Sequence, residues 1–338
     1  DVPARAGRNR GRAIRRRDGR LAPGSFTHVD FVWFWPEIFY QGPRPDRDKR
    51  LNIFSYDSEG NTVKLYIMAD LEGATAVTGG WSETNPGARE FEHARKMITG
   101  DINACAKGAF EAGATDIVVF DGHGMAISVL PLEVDPRVRL IQGRAIFSAG
   151  PTPGLDESFD AMIILGMHAM EGTADGVMNS TVTGMHLWIN GREVGETGLF
   201  AALAAEMGVP TIMVAGDEAV AREARALIPD IYTVAVKKGL TRYSAEIIPP
   251  AKSWAMITET TGEAVRNYKK VSVFNPAKPV EVRIEYFGNT QLVDCVAQVP
   301  GVKRINGSTV SYTGDTVKDG MGALLYVAFW MLGDRPSL

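Results

Sequence analysis

Cysteine is scarce in this chain: two residues in 338, Cys105 and Cys295, leave no disulfide framework to read. They fall on a helix-like and a strand-like segment without a pairing pattern, so both read as core thiols suited to a reducing cytosol, and the expected location is cytoplasmic. A dominant charge is missing too. Lys and Arg number 36 against 40 Asp and Glu, a formal net charge of -4, which removes the global basic field that nucleic-acid binding exploits. No apolar run approaches the ~18 residues needed to cross a bilayer, and the start lacks the basic, apolar and small-residue order of a signal peptide. Neither nucleic acid nor a membrane is therefore an expected partner. There is no internal repeat. What is present is 45% hydrophobic residues, enough to bury one large core or two smaller ones.

The charge is unevenly spread. Residues 1–62 carry twelve Lys or Arg against eight Asp or Glu, open on an Arg- and Gly-rich run, pass an aromatic cluster around Trp33 and Trp35, and hold no helical or strand period. A nucleic-acid-binding arm is disfavoured because the arginines and aromatics are separated rather than interleaved, and a membrane-surface anchor is disfavoured to the same degree. The reading adopted is a disordered extension, or upstream sequence translated from a misplaced start near Val63.

From residue 63 the order becomes regular. Apolar runs at 64–69 (KLYIMA), 116–120 (DIVVF), 161–165 (AMIIL) and 211–215 (TIMVA) read as buried strands, with a further strand near 138–142. Helical spacing covers 88–112, giving a βαβ unit of parallel-sheet type, and recurs at 197–207, 219–227 and 251–268. Asn190-Gly191 between 184–189 and 193–194 is a two-residue hairpin signal. A strand at 233–236 ends the alternation. After Pro276 and Pro279 the composition shifts, with strands at 280–286 and 309–313 and a terminal helix at 316–330. The expected fold is α/β: a mostly parallel sheet with flanking helices over 63–275, forming a metal-binding catalytic domain, plus a smaller C-terminal α+β part over 276–332.

Three of the four apolar runs stop at metal-binding residue types. The first enters Asp70-Leu71-Glu72-Gly73, the second Asp121-Gly122-His123-Gly124 and the third Gly166-Met167-His168; the fourth ends in Gly216-Asp217. The carboxyl ends of strands in an open parallel sheet share one edge, where such proteins place ligands. Each residue has a plainer reading alone: Asp70 and Glu72 in a strand-terminating turn, His168 as a core-edge histidine, Glu196 as compensation for a helix dipole. Together they make three carboxylates and two imidazoles, the inventory of a two-zinc hydrolase with one bridging carboxylate. Asp121 is a candidate to orient His123. Lys237, Lys238 and Arg242 form a basic cluster that reads as a solvated loop, with a site for a substrate carboxylate as the alternative.

The runs KLYIMADLEG, DGHG, LGMHA, INGREVGETGL, MVAGD and VKKGLTRYSA, in this order, resemble the D-aminopeptidase family of dinuclear zinc metallopeptidases over about residues 63–332. By motif, the resemblance places the zinc ligands on Asp70 as bridge, Glu72, His123, His168 and Glu196. It implies two zinc ions per chain and cytoplasmic hydrolysis of amide or peptide bonds in small substrates. It also implies a homodecamer of two stacked pentameric rings with active sites facing an inner channel.

One part of the family pattern is missing. The family keeps a catalytic histidine in a Gly-apolar-apolar-x-His-Ser/Thr stretch, and here that stretch reads Gly176-Val177-Met178-Asn179-Ser180-Thr181, with Ser180 at the histidine position. The segment from there to Glu196 is also about two residues shorter than the family's usual form. Three accounts compete: an inactive or substrate-shifted protein, an imidazole supplied by His186, or zinc-bound hydroxide with Glu72 or another carboxylate as base. Ser180 as nucleophile lacks a local Ser-His-acid arrangement. Asn179 and Ser180 are expected to line the substrate space. The alternative to an enzyme is a non-catalytic scaffold that keeps the metal site for binding or assembly.

Overall fold

The four apolar runs read as buried strands lie side by side. The computed structural model describes residues 63–143, 151–182, 184–288 and 290–326. In chain order its first half contains Val63–Ala69 (β1), Trp81–Thr84 (α1), Phe91–Glu111 (α2), Ala114–Asp121 (β2), Arg139–Ile141 (β3), Ala161–Met167 (β4), His186–Ile189 (β5) and Arg192–Val194 (β6). Then follow Glu196–Ala205 (α3), Thr211–Asp217 (β7), Glu218–Leu227 (α4), Tyr232–Thr241 (β8), Ser244–Ile247 (β9) and Pro250–Arg266 (α5). The last elements are Val280–Glu285 (β10), Thr290–Val296 (α6), Lys303–Arg304 (β11), Thr309–Gly314 (β12) and Val317–Met321 (α7). The 1–62 extension lies outside the described residues.

One sheet has seven strands in the order β3-β2-β1-β4-β7-β8-β9, all parallel except the edge strand β9. Strands β1, β4 and β7 are buried along nearly their whole length, which is why they carry continuous apolar runs instead of alternation. The chain leaves β1 to build β2 and β3 on one side, then returns to place β4 on the other. The crevice between the ends of β1 and β4 is thus a topological switch point, the position where open α/β sheets bind ligands.

The second sheet is antiparallel, in the order β11-β12-β10-β5-β6. Here the structure departs from the sequence order: the β5–β6 hairpin, predicted from Asn190-Gly191, pairs with β10 nearly a hundred residues later, Leu187 opposite Ile284 and Trp188 opposite Arg283. Helix α3 explains how two cores can meet. Phe200, Ala201 and Ala204 enter the core of the parallel sheet, while Leu199, Ala202 and Leu203 enter that of the antiparallel one. A helix buried on all sides has to be apolar all round, as α3 is from Leu199 to Ala205 (LFAALAA). The antiparallel strand β9, α1, α6 and β11 have no counterpart in the periodicity. The expected terminal helix at 316–330 is α7 followed by a π turn at Gly322–Tyr326, and the remainder falls outside the described residues. Among the described residues no helix is long and apolar enough to cross a membrane, and neither cysteine is paired; Cys105 is a core thiol as read, but Cys295 is exposed on α6 and is neither in a strand nor in the core.

Two glycines let the ends of β1 and β4 touch. The Asp70 amide donates to the Leu165 carbonyl at 2.8 Å and the Gly73 amide to the Gly166 carbonyl at 2.7 Å. A Cβ on Gly73 would overlap the Met167 carbonyl, and one on Gly166, whose φ is +65°, would overlap the Asp70 carbonyl. A left-handed backbone costs a residue with a side chain ~1 to 2 kcal/mol, and the overlap adds to it, so Gly166→Ala is expected to destabilise the protein by ~2 kcal/mol or more. Equilibrium unfolding in denaturant checks this; an unchanged midpoint would show that the strand ends are not in this contact.

Candidate metal centre

Each of three adjacent strand ends delivers one part of an acid–imidazole cluster. Asp70 directly follows β1 and Glu72 lies two residues on, His123 stands two residues past β2, and His168 directly follows β4. Glu196 comes from elsewhere: it opens α3, behind the hairpin of the second sheet. Asp70 and His168 are almost fully buried, and Glu72 is the most exposed of the five side chains, at 20%.

Asp70 stands between the two imidazoles. Its Oδ1 lies 3.2 Å from His123 Nδ1 and its Oδ2 3.3 Å from His168 Nε2. The second carboxylate on each ring is different: Glu72 Oε2 is 2.9 Å from His123 Nδ1, and Glu196 Oε1 is 3.4 Å from His168 Nε2. The outer ring nitrogens face backbone carbonyls, His123 Nε2 that of Thr84 at 2.8 Å and His168 Nδ1 that of Ala169 at 3.1 Å. A carbonyl only accepts, so each outer nitrogen carries the proton, and the lone pair of a neutral ring points inward at carboxylate oxygens. That arrangement needs positive charge between the groups. Among the described residues, the buried Glu72 Oε2 has no hydrogen-bond partner beyond this approach to His123 Nδ1. Asp70, Glu72 and His168 can each place one ligand atom within 4.8 Å of the others.

The electrostatics are those of a site built for cations. Burial by itself would raise the Asp70 carboxyl, but hydrogen bonds and charge from His123 and His168 overcome it and hold the group well below the usual carboxylate range. Burial pushes both imidazoles down, and the facing acids reverse this: Glu72 and Asp70 raise His123, Glu196 and Asp70 raise His168, each well above its ordinary value. Without metal the rings hold protons in the positions that divalent ions would take, so metal uptake must displace them. Three carboxylates and two neutral imidazoles fit two such ions, and the carbonyl bonds on the outer nitrogens are the usual support of ligating histidines.

The other candidates resolve differently. Asn179 is buried with its side chain tied to the Gly172 amide at 3.0 Å and the Gly176 carbonyl at 2.8 Å, so it shapes the loop. Ser180 has its amide on the Ala169 carbonyl at 3.0 Å, and two residues on the Val182 amide donates to Glu196 at 2.9 Å. Ser180 is therefore strung along the His168–Glu196 side of the cluster. His186 pairs through Nδ1 with Glu193 at 2.7 Å and stacks on Trp188, both on the hairpin. Asp121 does not orient His123: its Oδ2 accepts from Val129 and from Gln142, and the outer bond of His123 goes to Thr84. Asp217, the fourth strand-end acid, caps α4 through Val220 and holds the Val177 amide.

The basic cluster at 237–242 dissolves in three dimensions. Arg242 pairs with Glu171, Lys238 is exposed, and Lys237 is 1% exposed. Burial lowers the Lys237 ammonium to about 8, against the raising effect of Asp217, Asp101, Glu83 and Glu72. Asp101 is a residue that the sequence reading passed over. It lies one turn from Ile98 on the apolar face of α2, a position where an acid signals a buried partner.

The sequence profile of the D-aminopeptidase family matches residues 63–326. A curated D-aminopeptidase from Bacillus subtilis (strain 168) is 34% identical over 248 residues, covering 73% of this chain and 89% of the relative. A solved structure, the Zn-dependent D-aminopeptidase DppA from Bacillus subtilis, described as a self-compartmentalizing protease, is similar with a TM-score of 0.73 at 32% identity, over 82% of this chain and 100% of that one.

Proposed function

The chain belongs to the D-aminopeptidase family, a metallopeptidase family, and on that premise we propose that it hydrolyses amide or peptide bonds in small substrates at a centre of two zinc ions. The observation that carries this is Asp70, whose two carboxylate oxygens each face a different imidazole that is itself held by a backbone carbonyl. Asp70 would then serve both ions, with Glu72 and His123 available to hold one and His168 and Glu196 the other. The chemistry that zinc would supply when bound is Lewis-acid polarisation of the scissile carbonyl and acidification of water towards a pKa of ~7. The remaining task is proton transfer to the leaving amine. Ser180 offers no imidazole for this step, so the proton would pass from the attacking water to the amine through whichever oxygen of Glu72 is not engaged by metal, Glu72 being the carboxylate of the cluster most open to water.

The relative's self-compartmentalizing character supports a homo-oligomer, a decamer on the family resemblance. The unpaired cysteines favour a cytoplasmic location. Ser180 also favours a second reading, a metal-binding scaffold without catalysis.

Elemental analysis of protein purified without chelator, combined with a screen over D-amino-acid amides, short D- and L-peptides, lactams and simple amides, separates the two. Two zinc ions per chain with hydrolysis of at least one class is the expected result. Absence of any transition metal would overturn the dinuclear reading, and a full metal complement with no hydrolysis would leave the scaffold.

A further inference from the structure

Lys237 is a buried charge that the proposed reaction leaves unused. Its ammonium donates to the carbonyls of Glu72 at 2.6 Å, Ala74 at 3.0 Å and Val77 at 2.5 Å, so all three of its N–H groups are occupied by one stretch of backbone. The amides of the same stretch go to two acids. Asp101 accepts from Thr75 at 2.9 Å while its other oxygen takes the Trp254 indole N–H, also at 2.9 Å. Glu83 accepts from Thr78 at 2.6 Å and from Gly79. An irregular buried segment must satisfy its polar groups somewhere, and this one does so on three fixed charges.

The position of that segment is what matters. It begins at Glu72 and leads into α1, where Thr84, the neighbour of Glu83, presents the carbonyl that holds His123. The opposite side of the cluster is supported by a different residue: Glu223 accepts the Met170 amide at 2.8 Å, two residues past His168, and packs against Gly195, next to Glu196. We infer that Lys237, with Asp101 and Glu83, positions the Glu72–His123 half of the metal centre, and that Glu223 separately positions the His168–Glu196 half. The inference rests on the two-ion reading above. The two halves share Asp70 but are aligned by different buried charges, with Asp217 acting on both Lys237 and Glu223.

The test is titration of metal-free protein with Zn²⁺ against a competing chelator, repeated with Co²⁺ so that the visible absorption of each bound ion is followed. Wild type is expected to bind two ions. Lys237→Met and Asp101→Asn should each weaken one ion by ~10- to 100-fold, the usual effect of outer partners on metal affinity, and leave the other within ~3-fold. Glu223→Gln should weaken the other ion. In a Glu72→Gln background, where the first half is already crippled, Lys237→Met should add nothing to the loss. If Lys237→Met does not fold, Asp101→Asn and Glu83→Gln carry the same test, because an amide keeps the shape of the acid. Equal weakening of both ions by these variants, or of neither, would overturn the inference while leaving the dinuclear reading intact. A wild type that binds fewer than two ions would overturn both.

Discussion

Asp70→Ala is expected to lose both metal ions and to bring hydrolysis to background. Among the described residues Asp70 is the one side chain paired with both imidazoles, so its removal takes a ligand from each ion at once, whereas Glu72→Gln or Glu196→Gln takes one ligand from one ion. A catalytic metal contributes several kcal/mol to the transition state and each ~1.4 kcal/mol is tenfold in rate, so the loss should reach ~10³-fold or more. Metal content by elemental analysis and turnover on the best substrate are measured together. Retention of two ions by Asp70→Ala would mean that the carboxylate is not a bridge, and the division of the site into two halves would fall with it.

Ser180→His is expected to raise activity towards D-alanyl peptides while leaving metal content unchanged. The direction follows from placing a group that titrates near neutrality beside the site of bond cleavage, and the gain is bounded by the ~10⁴ that general acid–base assistance typically supplies. The local backbone argues for less. Met178 and Val182 on either side have positive φ, +48° and +44°, and the Ser180 amide is fixed to Ala169. The segment is too constrained to shift for a larger ring, and misplacement by an ångström can cost 10²-fold. The rival account gives the work to His186. Its pairing with Glu193 and stacking on Trp188 place it in the fabric of the hairpin, so His186→Ala should change turnover by only a few-fold. If instead His186→Ala abolishes hydrolysis of the best substrate and Ser180→Ala leaves it intact, the imidazole has moved along the chain and the assignment of position 180 is wrong.

Lys237 shows why part of the site was illegible. Strand alternation around Val234 and Val236 puts Lys237 on the solvent side, and with Lys238 and Arg242 nearby a basic surface loop is the natural reading. In the fold, β8 carries an extra residue against β7, Gly216 facing Ala235 and Asp217 facing Lys237. This bulge turns Val236 and Lys237 both inward. A bulge is a property of the paired strands, not of one strand's sequence, so no periodicity could have announced it. Thr84 was hidden for a related reason: it acts through its carbonyl, which every residue possesses.

Asp70, Glu72, His123 and His168 were readable because each lies within three residues of an apolar run, and in a parallel sheet every such run ends on the same edge. Local pattern plus that single rule of chain direction was sufficient to gather them. Which strands are neighbours was not local information. The order β2-β1-β4-β7 sets Asp70 between two imidazoles, and the pairing of β5 with β10 brings the hairpin, and Glu196 behind it, to the same crevice. Contacts between residues tens to a hundred positions apart depend on how two sheets share the apolar helix α3, an outcome of packing that only the folded chain decides.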